Sequence, residues 1–321
     1  MIYLSIAFLL FLLELAYFQV ARKLNIVDKP NARSSHQRVT LRGGGVIFYL
    51  GGLVYILFFG LNDPWFRVGL TLIAGISMVD DVQPVSSKVR LVFHFAAMLL
   101  LFAQWELFGS YPWWYIPIAL VFCTGIINAY NFMDGINGIT GGYSLAVLGL
   151  LTYVNGFVVP FMDADFLYVS LISVLVFNFF NFRTRARCFA GDVGSVSMAF
   201  IVLYVLGTLI LKTGDLSWIV FLAVYGVDSV LTIVHRLMLK ENIFNPHRKH
   251  AYQLMANELK IPHVVVSGLY AVLQVAIGAA FLYTGDHHWL YVAVVLLVLS
   301  TAYVLFKRRY FHLHVQAMAN R

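Results

Sequence analysis

The chain has 321 residues, of which 61% are hydrophobic and only 12% charged, with a formal net charge of +7. A soluble domain carries about 25% charged residues, so this composition excludes a soluble globular protein and points to a polytopic integral membrane protein. The two cysteines, Cys123 and Cys188, exclude a disulfide framework and are expected to be free thiols.

A bilayer crossing needs roughly 20 apolar residues, fewer where protein neighbours shield them. Eleven apolar runs meet that need: 1–20, 44–61, 65–79, 91–108, 113–128, 139–158, 165–182, 195–212, 217–235, 264–284 and 288–306. The expected fold is all-α, with about eleven transmembrane helices in one domain over residues 1–321. The first run has no basic stretch before it and no small-residue cleavage site; Arg22 and Lys23 follow it instead. That order reads as an uncleaved first helix rather than a signal peptide. Turn signals such as Asn62-Asp63-Pro64 and Thr284-Gly285-Asp286 separate the runs. With alternate crossings, every Lys and Arg except Arg67 and Lys212 falls on one side. Positive charge marks the cytoplasmic face, which predicts the N-terminus outside and the C-terminus inside. The connections on that inner side are long and rich in polar residues, and chemistry is expected there.

The first inner connection contains Asp28 and His36 and ends in Arg42-Gly43-Gly44-Gly45. Glycines at the mouth of a helix let backbone amides approach an anion. Attraction to anionic lipid accounts for the basic residues but not for Asp28. The second connection pairs Asp80 with Asp81, followed by Lys88 and Arg90. Adjacent carboxylates repel and persist where a cation offsets them: either these two basic residues or, for chemistry, a magnesium ion or a proton to be abstracted. The third places Asn128, Asn131 and Asp134 three apart, one polar stripe on a helix. Gly135 and Gly138 release Asn137 from that face. Amides, a carboxylate and glycines suit a phosphate, a metal or a base; a polar helix end meeting water is the plainer alternative. The fourth sets Asp192 between Gly191 and Gly194, open to a metal and equally suited to capping a helix. In the fifth, from Pro246 to Gln253, Arg248 and His250 suit sugar or phosphate oxygens. His247 and His250 lack a third zinc ligand nearby. Tyr252, Met255 and Leu259 recur at helical spacing, which predicts a short amphipathic helix on the membrane surface. Asp228, inside the ninth run, calls for a cationic partner, and Glu14 in the first run poses the same question.

Taken together and in this order, the motifs from Asp28 to Gln253 resemble the polyprenyl-phosphate N-acetylhexosamine-1-phosphate transferase superfamily. The resemblance implies catalytic roles for Asp80, Asp81 and Lys88, and metal-binding roles for Asp192 and Asn131. It implies a nucleotide-sugar site around Asn128, Asp134, Asn137, Arg248 and His250, with Asp28 and Asp228 at the lipid phosphate or in structural support. It also implies magnesium, with manganese as the alternative ion, and a UDP-activated N-acetylhexosamine and undecaprenyl phosphate as partners in a bacterial inner membrane. A homodimer is compatible with it, and no nucleic-acid partner is expected. Two departures stand out. Asn137 replaces the aspartate of many bacterial members, and Tyr252 and Gln253 replace a final pair of histidines. The second departure resembles the branch that starts O-antigen or capsule units with GlcNAc or a deoxy-HexNAc. A transporter of an anionic metabolite is the alternative; it would place its charged site near the midplane in repeated halves, whereas these acids gather at one surface.

Overall fold

A computed structural model describes residues 1–30, 35, 38–243 and 247–319. His36 and Pro246 fall outside them. The described residues are mostly helical. In order it forms α1 (Ile2–Lys23), a hairpin of β1 (Val27–Asp28) and β2 (Thr40–Leu41), α2 (Val46–Phe59), α3 (Pro64–Val82), α4 (Ser87–Gln104), the short α5 (Leu107–Ser110), α6 (Tyr115–Met133), α7 (Ile139–Phe157), α8 (Ala164–Asn181) and α9 (Gly191–Thr213). A 3-10 segment (Leu216–Leu222) then runs into α10 (Ala223–Met238), followed by the short α11 (Ala251–Gln253), α12 (His263–Phe281) and α13 (His288–Ala319). This is an all-α polytopic membrane protein.

Every apolar run read from the sequence falls on a helix. Among the described residues, eight helical stretches are long and apolar enough to cross a membrane. The other three depart for visible reasons. α2 is apolar but has 14 residues; α3 carries Arg67, Asp80 and Asp81; α7 opens on Thr140-Gly-Gly-Tyr-Ser144.

α9 occupies the centre, with 83% of its most apolar stretch buried. It is hydrophobic all round, as a helix enclosed by others must be; α2, α3, α6 and α7 pack around it. Its first turn meets the start of α2 backbone to backbone. A Cβ on Gly45 would lie 2.3 Å from the Gly194 Cα and 2.9 Å from the Ala190 carbonyl oxygen. The amides of Gly44 and Gly45 donate to the carbonyls of Phe189 (2.9 Å) and Ala190 (3.1 Å). The expectation that these glycines cradle an anion is thereby corrected, because two of the three amides are spent on their own backbone. At the opposite end of the bundle Arg67 is buried, its guanidinium 4.6 Å from the ring centres of both Tyr55 and Phe166.

The surface helix expected after His250 also needs correction. α11 and the wide turn that continues it (Leu254–Glu258) bury Tyr252, Leu254 and Ala256. The Tyr252 hydroxyl donates to the Phe132 carbonyl at 3.0 Å. Of the three residues expected on the membrane-facing stripe, Tyr252 is buried and Met255 and Leu259 are partly buried.

Adding a methyl group at the α2–α9 crossing forces backbone apart, which costs about 1–3 kcal/mol in a packed core. Gly45→Ala is therefore expected to lower Tm in detergent by several degrees. Gly125→Ala on α6, where nothing lies within 4 Å of the added carbon, should leave it unchanged.

Candidate active site

The C-terminal ends of α1, α3, α6, α8 and α10 and the N-terminal ends of α2, α4, α7, α9 and α12 meet at one end of the bundle, where the polar loops collect. The arrangement starts from Asp81. A helix begins with backbone amides that have no partner inside it, and Asp81 at the end of α3 supplies one for α9. It accepts from the amides of Asp192 (2.9 Å) and Val193 (3.0 Å). Gly191 makes this approach practicable: its φ is +70°, and a Cβ would sit 2.4 Å from an Asp81 carboxylate oxygen. The sequence alternative, with Asp192 capping its own helix, is corrected; Asp192 is the second residue of α9, and the cap comes from another helix.

Two arginines knit the carboxylates together. Arg42 Nε reaches Asp81 at 2.6 Å and its Nη2 reaches Asp192 at 3.2 Å. Arg90 Nη1 lies 3.0 Å from both Asp80 and Asp192. Each oxygen of Asp192 thus meets a different arginine. Asp80 also accepts from the Val85 amide at 2.6 Å. The repulsion of the paired aspartates is offset by Arg90 and by Arg42, which is distant in sequence. Lys88 is exposed and forms no ion pair among the described residues. The Tyr17 hydroxyl, donating to the Arg42 carbonyl at 2.6 Å, holds the backbone of that arginine.

Beside this lattice lies a polar cavity of about 320 Å³, walled by Asp28, Arg42, Asn131, Asp134, Asn137, Asn181, Asp192, Gln253 and His263 among others. The structure brings five of the sequence-derived residues to it: Asp28, Asn131, Asp134, Asn137 and Asp192. Asn137 is part of the wall's framework. Its side-chain amide donates to the carbonyls of Arg183 (2.9 Å) and Thr184 (3.3 Å), and its carbonyl accepts from Ser267 (2.8 Å). Asp134 accepts from the Thr140 hydroxyl at 2.6 Å. Burial pushes the Asp134 carboxyl up to about 6 against that hydrogen bond, and the nearby Asp81 charge adds to the rise.

The other residues stand elsewhere. Asn128 is exposed on α6 one turn before Asn131. Arg248 is buried against Glu258 at 3.1 Å, and His250 Nδ1 lies 3.3 Å from Asp228; neither lines the cavity. Asp228 finds the cationic or hydrogen-bonding company its burial demands. It accepts from Tyr270 (2.7 Å) and from the Ala251 amide (3.0 Å) and so anchors the start of α11. The imidazoles of His247 and His250 stack 5.0 Å apart. Sequence reading missed Asn181 and His263 as wall residues. Asn181, a lone amide closing an apolar run, gave a faint signal, and it bonds the Gly138 amide and the Cys188 carbonyl, both at 2.8 Å. His263 gave none.

Asp28, Asn131 and Asp192 offer hard oxygen donors to one cavity. This fits magnesium, which takes one or two carboxylates and completes its shell with water and substrate phosphate. No three His, Cys, Asp or Glu side chains among the described residues form a ready-made metal cage, as such a site would not require.

Residues 65–211 match the family model described as glycosyl transferase family 4. That stretch contains Asp80, Asp81, Asn131, Asp134 and Asp192. That match covers a little under half of the chain. The chain is 28% identical to an undecaprenyl-phosphate alpha-N-acetylglucosaminyl 1-phosphate transferase of Salmonella typhi, over 74% of its own length and 71% of that protein. It is 28% identical to a probable undecaprenyl-phosphate N-acetylglucosaminyl 1-phosphate transferase of Bacillus subtilis, over 74% and 72% of the two chains. A similar transferase from Escherichia coli O157:H7 aligns at 27% identity over 90% of this chain and 84% of that protein.

Two measurements probe this site. Asp81→Asn removes the charge that pairs with the partly exposed Arg42 and accepts the first amides of α9, and weakening such charged hydrogen bonds costs about 1–3 kcal/mol. Its Tm should fall clearly, whereas Asp192→Asn, which relieves crowding among three acids, should leave Tm at or above the wild-type value. For Asp134 the folded pKa is raised, so between about pH 4 and pH 6 the folded state binds more protons than the unfolded one, and stability falls as pH rises through that window. Asp134→Asn should therefore raise Tm by roughly 2–4 °C near pH 8, a gain that vanishes near pH 4.

Proposed function

We propose that this protein transfers an N-acetylhexosamine-1-phosphate from a UDP-sugar to undecaprenyl phosphate and releases UMP, starting a cell-surface glycan. The reaction takes place at the cytoplasmic face of the bacterial inner membrane, and the sugar is GlcNAc or a deoxy relative. The observation that carries this reading is the oxygen-lined cavity beside Asp192 and its two arginines, at the end of a membrane bundle whose relatives are named for this transfer.

In this reaction an oxygen of the lipid phosphate attacks the sugar-bearing phosphorus of the donor. The new pyrophosphate bond forms as the bond to the α-phosphate breaks, and the electron pair leaves on UMP. A phosphate monoester loses its second proton near pH 6, so the nucleophile arrives ionised and needs little help from a base. Catalysis of this type rests on positioning and charge stabilisation. Asp192, with Asn131 and Asp28 beside it, would hold magnesium, which when bound neutralises pyrophosphate charge. Arg42 and Arg90 orient Asp192. Asp80 is held by Arg90 and the Val85 amide at the edge of the same lattice. The bonds of Asp81 to Arg42 and α9 support a positioning role for it, and with that a direct displacement over an aspartyl-phosphate intermediate. Asp134 and Asn137 form the nucleotide end of the cavity.

Purified protein given UDP-GlcNAc or a 6-deoxy donor is expected to release UMP only when undecaprenyl phosphate and magnesium are both present. Chelation should stop turnover, and Asp192→Asn should lower kcat by about 10³-fold or more, several kcal/mol of lost transition-state stabilisation. Uptake of the nucleotide-sugar into proteoliposomes without UMP release would overturn the reading in favour of transport.

A further inference from the structure

The β1–β2 hairpin separates two cavities. Asp28 and Arg42 line the polar cavity of the active site. Val27 and Leu41, their chain neighbours, line a second cavity of about 450 Å³ on the other face. Val39 and Thr40 line the second cavity as well, and Thr40 pairs with Asp28 across the hairpin, so the hairpin stands as the wall between the two cavities. The second cavity is completed by Leu15 and Phe18 of α1, with Arg22 and Arg187 also among its lining residues. α1 is long and apolar enough to cross a membrane and ends on Arg22 and Lys23. The cavity therefore lies where the first helix passes from lipid to water. Both arginines are exposed, and neither forms an ion pair among the described residues.

We propose that this second cavity is a binding site for an anionic phospholipid of the bilayer. Arginine suits a phosphate because its guanidinium donates through a planar fork, and basic residues at the membrane boundary attract acidic headgroups. Leu15, Phe18 and Leu41 offer the apolar wall that an acyl stem covers. The substrate lipid also carries a phosphate, but on the transferase reading its reacting oxygen must reach the cavity of Asp192, on the far side of the hairpin. The lipid bound here is thus a resident, not the acceptor. By packing on Val27 and Leu41 it braces the hairpin and keeps Asp28 and Arg42 in place on the opposite face.

Native mass spectrometry of the full-length protein, titrated with phosphatidylglycerol or phosphatidylcholine, tests the site without any need for turnover. The wild type should retain phosphatidylglycerol selectively. The double variant R22Q/R187Q should bind it roughly tenfold or more weakly, in line with two surface arginines near an acidic lipid. R308Q/R309Q, which removes exposed cations from α13, should bind it as the wild type does. Equal retention by wild type and R22Q/R187Q would overturn the proposal. Stoichiometric displacement of phosphatidylglycerol by undecaprenyl phosphate would also overturn it, by assigning the cavity to the acceptor. In nanodiscs, adding phosphatidylglycerol to phosphatidylcholine should raise wild-type UMP release several-fold and leave R22Q/R187Q unstimulated. If R22Q/R187Q instead lost turnover in phosphatidylcholine alone, the arginines would belong to the reaction and the resident-lipid assignment would fall. Selective retention with no UMP release from any form would sink the transferase reading while leaving the lipid site standing.

Discussion

Asp81 accepts the two amides that open α9 and the Nε of Arg42, and the geometry of this end of the protein follows from those bonds. Unpaired amides at a helix start are costly wherever water is scarce. The positive end of the helix dipole favours a carboxylate there. Drawing α3 and α9 together in this way brings Asp80 and Asp192, the neighbours of the bonded groups, to the same point. Three acids in one place repel, and Arg42 and Arg90 offset that repulsion by bridging them. The charged lattice beside the cavity is thus tied to the capping of the central helix.

The cavity walls are fixed by amides that spend their hydrogen bonds on backbone. Asn137 ties the start of α7 to the loop after α8 and to Ser267 of α12. Asn181 ties the end of α8 to Gly138 and Cys188. Such groups carry no chemistry of their own. They hold the loops around the polar cavity of about 320 Å³ at set distances.

The segment from His247 to Glu258 is held by a separate network. Asp228 receives His250, Tyr270 and the first amides of α11. Glu258 receives both Arg248 and, at 2.9 Å, His314 of α13. Lys307 of α13 donates to the Lys249 carbonyl. α13 therefore braces this loop from outside, while Gln253 faces the cavity. Of the eight helical stretches long and apolar enough to cross a membrane, α13 is the least buried; it holds its place by these bonds and by packing on α10, where Tyr303 meets Val227 and the Thr232 hydroxyl.

The sequence by itself determined the membrane class, the helix positions and several of the residues that line the polar cavity. Those properties are local: apolar runs announce themselves by length, and Asp28, Asn131, Asp134 and Asp192 by their cost or their glycine neighbours. Tertiary structure decided the partnerships. Helical spacing can relate Asn128 to Asn131 within a turn, but it cannot see that the stripe leaves the cavity before Asn128. It cannot pair Arg42 with acids 39 and 150 residues away, or find that Asp81 caps α9 while Asp192 does not cap itself. Nor could it tell that Arg248 turns to Glu258, or that Tyr252 turns inward. Each of those outcomes depends on where the ends of different helices arrive, and the packing of side chains around α9 sets that.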